Sequence, residues 1–144
     1  MLLTSGSHLG PYEIVAPLGA GGMGEVYRAR DTRLDRTVAI KVLTGALAAD
    51  TESRQRFEHE ARAIAALNDP HICTIHDVGR HGELDYLVLE YLDGETLADL
   101  LRRASGTPAL PIRDALAIAI QIADALDRAH RAGGADECLS PWRG

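Results

Sequence analysis

Four glycines crowd into the nine residues Leu18 to Val26, LGAGGMGEV, and the chain that follows them leaves few folds open. Glycine costs backbone entropy and buries nothing, so this density belongs where something must approach the main chain closely. Directly afterwards EVYRARD alternates Val26 and Arg28 against Tyr27 and Ala29, the period of a strand. A dinucleotide-binding turn would run into a helix whose N-terminus faces a pyrophosphate, and a Walker loop would continue with Gly-Lys-Ser or Gly-Lys-Thr. Neither follows here. A glycine-tipped hairpin, whose backbone N–H groups lie over phosphates as a flap, fits the pattern.

The neighbouring segments extend the same sheet. YEIVAPL leads from Tyr12 into the glycines, RTVAIKVL is β-branched and apolar, and short polar links such as DTRLD join them, which predicts three sequential antiparallel strands. The period then becomes helical from Thr51 to Leu67, where Phe57, Ala61, Ile64 and Ala65 share one stripe, Asp50 or Thr51 caps the start and NDP stops it. HICTIHDVGR and LDYLVLEYL read as two further strands around a turn at His81 and Gly82. DGETLADLLRRASG is a short helix with Thr96 as N-cap. LPIRDALAIAIQIADALDRAHRAGG is a long one, with Pro111 in its first turn and Gly133 as C-cap. The expected fold class is α+β: a five-stranded antiparallel sheet with one packed helix, then two more helices. Residues 1–11 read as a flexible leader, and GADECLSPWRG, residues 134–144, fits no element.

Composition narrows the function classes. With 46% hydrophobic and 25% charged residues the chain is globular in character, and a formal net charge of −6 argues against a general nucleic-acid binder. No stretch approaches the roughly 18 apolar residues of a membrane helix, and MLLTSGSHLG lacks the basic start and long apolar core of a signal peptide. A cytoplasmic protein without nucleic-acid or membrane partners is expected, with Cys73 and Cys138 as free thiols.

Of the 15 basic residues, 14 are arginine and one, Lys41, is lysine. It closes VAIK on the third strand, where a flexible ammonium serves phosphate oxygens as a point charge rather than as a planar fork. Glu60 lies three residues after Phe57 and four before Ile64, beside the apolar stripe of its helix. An ionised carboxylate there needs a partner, and Lys41 on the preceding strand is the natural one. His71, Cys73, His76 and His81 have the side-chain types of metal ligands, but their spacing matches no compact zinc pattern, so no metal site is expected among them.

Gly19-x-Gly21-x-x-Gly24-x-Val26, Val38-Ala39-Ile40-Lys41 and Glu60 within RFEHEARAIAAL together resemble the small lobe of a protein kinase, most closely a bacterial serine/threonine kinase. NDPHICTIHDVG, YLVLEYLDGETLADLL and LPIRDALAIAIQIADALDRAH match that family's next segments in order, so the resemblance runs from Leu9 to Gly133. It implies a small lobe with hinge over residues 12–92, the start of a large lobe over 93–133, and an aberrant tail. Leu18, Gly19, Ala20, Gly21, Gly22, Met23, Gly24, Glu25 and Val26 would form the flap over ATP, with Val26 and Ala39 as the ceiling over adenine. Lys41 would hold the α- and β-phosphates and Glu60 would hold Lys41. Leu89 would be the gatekeeper, the Glu90 carbonyl and Leu92 amide the hinge contacts to the base, and Ile64 part of the hydrophobic spine.

Beyond AHRAGG the family continues with an HRD-type loop and a Mg-binding DFG, neither of which occurs in these residues. The expectation is a truncated form, from a shifted reading frame or shortened gene, lacking the catalytic base and the Mg ligands and inactive or nearly so. ATP would bind in the millimolar range at best. The apolar stripe Ile112, Leu116, Ala119, Ile120, Ala123, Leu126 and His130 would lack its covering helices, and full burial of Ile112, Leu116, Ile120 and Leu126 is worth about 1.5–3 kcal/mol each. Exposed, that face would favour self-association or a kinase partner. Two functions follow: transfer of the ATP γ-phosphoryl group to a protein hydroxyl in the complete enzyme, or a non-catalytic nucleotide-binding or kinase-interaction module. A dinucleotide oxidoreductase is disfavoured by the strand after the glycines.

Overall fold

The computed structural model describes residues 3–21, 24–43, 61–62, 65–104 and 110–131. Six strands form one antiparallel sheet: β1 (His8–Leu9), β2 (Tyr12–Gly21), β3 (Gly24–Asp31), β4 (Arg36–Leu43), β5 (Ile75–His81) and β6 (Leu84–Glu90), in the spatial order β1-β2-β3-β4-β6-β5. Two helices follow, α1 (Leu97–Ala104) and α2 (Ile112–Arg131). The α+β class holds, with six strands where five were expected.

The additional strand comes from the supposed leader. His8 pairs with Glu13 and Leu9 with Tyr12. The Ile14 amide donates to the Ser7 carbonyl at 2.8 Å, the Gly6 amide donates to the Ile14 carbonyl at 2.8 Å, and Leu9 is fully buried. A two-residue strand carries no readable period, and the turn that returns it, through Gly10 at φ 57° and Pro11, lies between two apolar residues rather than in a polar link. His8 and Leu9 are therefore part of the sheet, and residues 10–11 form the turn into β2.

The second correction concerns the start of β5. The expected strand began at His71, but residues 71–74 are not strand: Asp69 captures the His71 amide through its side chain at 2.8 Å and the Ile72 amide through its carbonyl at 3.2 Å. An aspartate before Pro70 competes for backbone donors in this way and delays the ladder. Likewise β6 ends at Glu90, two residues before the expected end.

Among the described residues the sheet has one fully covered face and one partly covered face. On the fully covered face Tyr27, Ile40 and Val88 form a cross-strand row, all at 0% exposure, and Leu9, Tyr12, Ile14, Ala29, Val38, Val42 and Tyr86 complete the core. Tyr12 and Tyr86 meet edge to face with centroids 6.2 Å apart. The Tyr12 hydroxyl donates to Asp77 at 2.9 Å; burial first, then that carboxylate, push its pKa to about 12.

Asp31 is the buried polar hub of the β3–β4 turn. It accepts from the amides of Arg33 and Leu34 and from Arg36 Nε at 3.4 Å, with no exposed surface. Burial alone would raise its pKa, but these donors hold it below the usual carboxylate range. A depressed folded-state pKa stabilises the fold above the unfolded value, about 3.9, and that contribution is lost as pH falls through the folded value. Melting curves at pH 3 and pH 6 should therefore show a smaller acid loss for Asp31→Asn than for the natural chain; equal losses would contradict the assignment.

The expected helix over 51–67 lies for the most part outside the described residues, and so do Phe57, Glu60 and Ile64. Ala61 and Arg62 are helical, with Ala61 buried and Ala65 exposed. In α1 the Thr96 cap is present as read: Thr96 Oγ1 accepts from the Asp99 amide at 3.1 Å and donates to the Asp99 carboxylate at 2.6 Å. Thr96→Ala should cost about 1 kcal/mol locally and speed amide exchange at Asp99 and Leu100 by roughly fivefold. Unchanged exchange would remove the cap's role.

Candidate functional site

The partly covered sheet face is built by strand register. Val26 on β3 pairs with Lys41 on β4, which pairs with Leu87 on β6; one row further along, Arg28 pairs with Ala39 and Ala39 with Leu89. Residues directly opposite in an antiparallel ladder share a face, as do residues two apart, so these six side chains lie together opposite the core. Val26, Lys41, Leu87 and Leu89 are half-buried, and Leu18 at the edge is 50% exposed. Burial lowers the pKa of the Lys41 ammonium from the ordinary lysine value.

β2 reaches this face through two irregularities. Its register with β3 slips between Ile14 and Ala16 and again between Pro17 and Gly19, and it then closes as Gly19 with Val26, Ala20 with Glu25 and Gly21 with Gly24. Each bulge inserts a residue and sharpens the local twist, so Leu18 sits where the strand bends. The paired strands thus carry the glycines to the tip of a β2–β3 hairpin. Gly22 and Met23, between Gly21 and Gly24, lie outside the described residues.

The three motif glycines differ physically. A Cβ on Gly24 would lie against the carbonyl of Val42, with the Val42 carbon at 3.1 Å, and Gly24 has φ 139°. This position demands glycine for the fold itself. Among the described residues a Cβ on Gly19 or Gly21 would meet nothing within 4 Å, and neither has a positive φ. Packing of the described residues gives no reason for glycine there.

At the other end of the face, the main chain leaves β6 through Glu90, Tyr91 and Leu92. The Glu90 amide donates to the Thr74 carbonyl at 2.9 Å, and the Cys73 thiol approaches the Glu90 carbonyl at 3.7 Å. Burial raises the pKa of that thiol. Leu92 is exposed and borders a cavity of about 410 Å³ between residues 70–73 and α2, lined also by Ile118, Ile122 and Leu126. This cavity is lined by none of the flap residues, nor by Lys41.

The register therefore brings Val26, Ala39, Lys41 and Leu89 onto one face, with Leu18, Gly19, Gly21 and Gly24 at its edge; Glu60 lies outside the described residues. Leu87 was missed by the sequence reading. Its signal was available, two residues before Leu89 on the same strand and therefore on the same side.

The sequence model of the protein kinase domain matches residues 12–134. The chain belongs to the protein kinase family. This kinase-family chain is 44% identical over 136 residues to the probable serine/threonine-protein kinase SCO3848 of Streptomyces coelicolor, covering 92% of the chain and 20% of that relative. It is 40% identical over 136 residues to the serine/threonine-protein kinase PknE of Mycobacterium tuberculosis, covering 94% of the chain and 24% of the relative. Among solved structures it superposes on a mutant of the PknI kinase domain of Mycobacterium tuberculosis with a TM-score of 0.82 at 39% identity, covering 92% of the chain and 53% of that domain. The kinase-like fold of the sheet and helices is thereby established, over about half the length of a solved kinase domain. No helix among the described residues is long and apolar enough to cross a membrane.

Proposed function

We propose that these residues form the nucleotide-binding side of a serine/threonine protein kinase. In the complete enzyme, ATP would supply the γ-phosphoryl group for transfer to a serine or threonine hydroxyl of a protein. The observation that carries this reading is the pair Gly19 and Gly21: both lack a side chain where the described residues leave room for one, beside the face that holds Val26 and Lys41. A ligand that must approach the main chain closely accounts for this; packing of the described residues does not.

Each residue then has a task. Backbone amides of residues 18–26 cover the phosphates, and Lys41 holds α- and β-phosphate oxygens with its ammonium. Glu60 keeps Lys41 in place. Val26 and Ala39 cover the adenine, Leu89 limits the depth of the pocket, and the Glu90 carbonyl and Leu92 amide fix the edge of the base. The partly desolvated ammonium of Lys41 gains more from an anionic partner than one in bulk water would.

The fit to Mg is poorer. Among the described residues no three His, Cys, Asp or Glu side chains come together as metal ligands. The Mg ligands, like the catalytic base, are expected from the part of a kinase domain that this chain does not match. The 144 residues by themselves are therefore proposed to be inactive.

Titration with ATP, followed through amide shifts of Gly19, Gly21 and Val26, should give saturable binding in the millimolar range. Lys41→Met should weaken it about tenfold, the worth of one charge-assisted contact. Absence of saturation, or binding indifferent to Lys41→Met, would overturn the reading. Phosphate transfer from labelled ATP by the 144 residues, abolished by Lys41→Met, would support the kinase assignment and refute the inactivity.

One observation favours a second reading, a non-catalytic module acting through a partner: Ile112, Leu116 and Ile120 of α2 are 77%, 57% and 60% exposed along one stripe. Association with itself or with an intact kinase, lost in Leu116→Asp and Ile120→Asp, would support it.

A further inference from the structure

The cavity of about 410 Å³ between residues 70–73 and α2 serves neither the core nor the nucleotide face. Its size lies in the range that holds a ligand-sized group, about 300–1,000 Å³. Ile72 and Cys73 form one wall, and Ile118, Ile122 and Leu126 form the other. The three helical residues recur every fourth position and so make one stripe along α2. It lies about 200° around the helix from the stripe of Ile112, Leu116 and Ile120. Ile122 and Leu126 are 46% and 39% exposed although they face a concave wall. Glu90 is the only carboxylate among the described lining residues.

The rest of the chain starts beside this cavity. α2 ends at Arg131, five residues past Leu126 and so about 8 Å further along the axis. Residues 132–144, outside the described residues, follow. Gly133 and Gly134 come at once, the residue type that lets a chain turn back at a helix end. Beyond them the large apolar side chains are Leu139 and Trp142, with Pro141 between them and Arg143 next. The eight residues from Arg131 to Leu139 span up to about 28 Å, well beyond the distance back to Leu126. Ile112, by contrast, stands about 28 Å up the helix from Arg131. A tethered segment also meets its site at a millimolar effective concentration, an advantage that no separate partner has.

We propose that this cavity is the docking site for residues 139–142 of the same chain, with the Leu139 and Trp142 side chains between Ile72 and the stripe Ile118, Ile122 and Leu126. Seated there, the two side chains remove apolar surface of both walls from water, whereas the convex stripe of Ile112, Leu116 and Ile120 offers a single wall. A tryptophan is the side chain with most apolar area to gain, and its ring N–H can remain at the wet rim. Arg143 then comes beside Glu90, a pairing of opposite charges that adds direction but little energy at a solvent-facing rim. Docked, the segment ties the turn before β5 and the exit of β6 to α2. This inference does not depend on nucleotide binding or phosphoryl transfer by the chain.

The test uses the whole chain, in which Trp142 is the only tryptophan. Its fluorescence should lie to the blue of N-acetyl-tryptophanamide and resist quenching by acrylamide, independently of protein concentration. Ile122→Asp, at an exposed helix position, should return emission and quenching to the values of the free amide without changing the far-ultraviolet circular dichroism. Leu116→Asp, on the other stripe, should leave Trp142 protected. A second measurement leaves α2 and the sheet unaltered. In a chain carrying Cys138→Ser, labelling of Cys73 by a maleimide should become about tenfold faster when Trp142→Ser is added, the effect of removing one large buried apolar group. Emission of the natural chain equal to that of the free amide, protection that disappears on dilution because a second copy supplies it, protection lost in Leu116→Asp and kept in Ile122→Asp, or Cys73 labelling indifferent to Trp142→Ser would each overturn the proposal.

Discussion

Gly79→Ala is expected to lower the melting temperature by about 10 °C through roughly 2–3 kcal/mol of overpacking. Gly79 on β5 lies directly opposite Tyr86 on β6, and the Tyr86 ring covers it so closely that an added Cβ would fall against Cζ and the hydroxyl, with Cε2 at 2.7 Å. The ring has little room to retreat. Tyr86 is 5% exposed, packs edge-on against Tyr12, and has its hydroxyl 3.5 Å from where a Cβ on Gly10 would stand. One residue thus joins the β1–β2 corner to the β5–β6 hairpin. A double variant, Gly79→Ala with Tyr86→Leu, should recover part of the loss relative to the sum of the single changes, because the two sites are in contact. A melting temperature within a degree or two of the natural chain would show that Tyr86 can shift freely.

Gly24→Ala should be at least as damaging, and its comparison with the other two motif glycines carries more information than its size. The clash with the Val42 carbonyl and a φ of 139° together impose strain of about 1–3 kcal/mol on the first pair of the β3–β4 ladder, Gly24 with Leu43. Melting temperature should fall, and ATP affinity with it. Gly19→Ala and Gly21→Ala should leave the melting temperature within about 2 °C, since each Cβ enters open space. Their effect should appear only in ATP binding. Comparable thermal losses at all three positions would mean that the glycines serve the hairpin alone, and the nucleotide reading would lose its main support.

How far the sequence led depended on the physical signal at each place. β4 was legible to the residue, Arg36 to Leu43, because a β-branched run bounded by a polar turn has no competing interpretation. The Thr96 cap was equally plain, since a threonine before an apolar helical run with an acid three residues on satisfies two groups locally. What failed was decided by one tertiary pairing and one local capture. The strand at His8 and Leu9 exists because β2 offers it an edge, and no local pattern reports that. His71 to Thr74 looked apolar enough for a strand, yet Asp69 took the His71 amide with its side chain and the Ile72 amide with its carbonyl. In the candidate site, Val26, Ala39, Lys41 and Leu89 were named through the kinase resemblance, and their shared face is set by the cross-strand register. The different status of Gly19, Gly21 and Gly24 was not legible, because a spacing motif cannot say which glycine faces a neighbouring carbonyl and which faces open space.

The sheet separates two duties that many small domains must combine. Its fully covered side, from Tyr12 and Ile14 to Val88, holds the strands upright, whereas the side bearing Leu18, Val26, Lys41 and Leu87 contributes little to that core. Substitutions on the second side can therefore accumulate without undoing the architecture, and a library randomised at Leu18, Val26 and Leu87 should return mostly well-folded members. Such a scaffold is free to diversify what it recognises, because the wall that drifts is not the wall that bears weight.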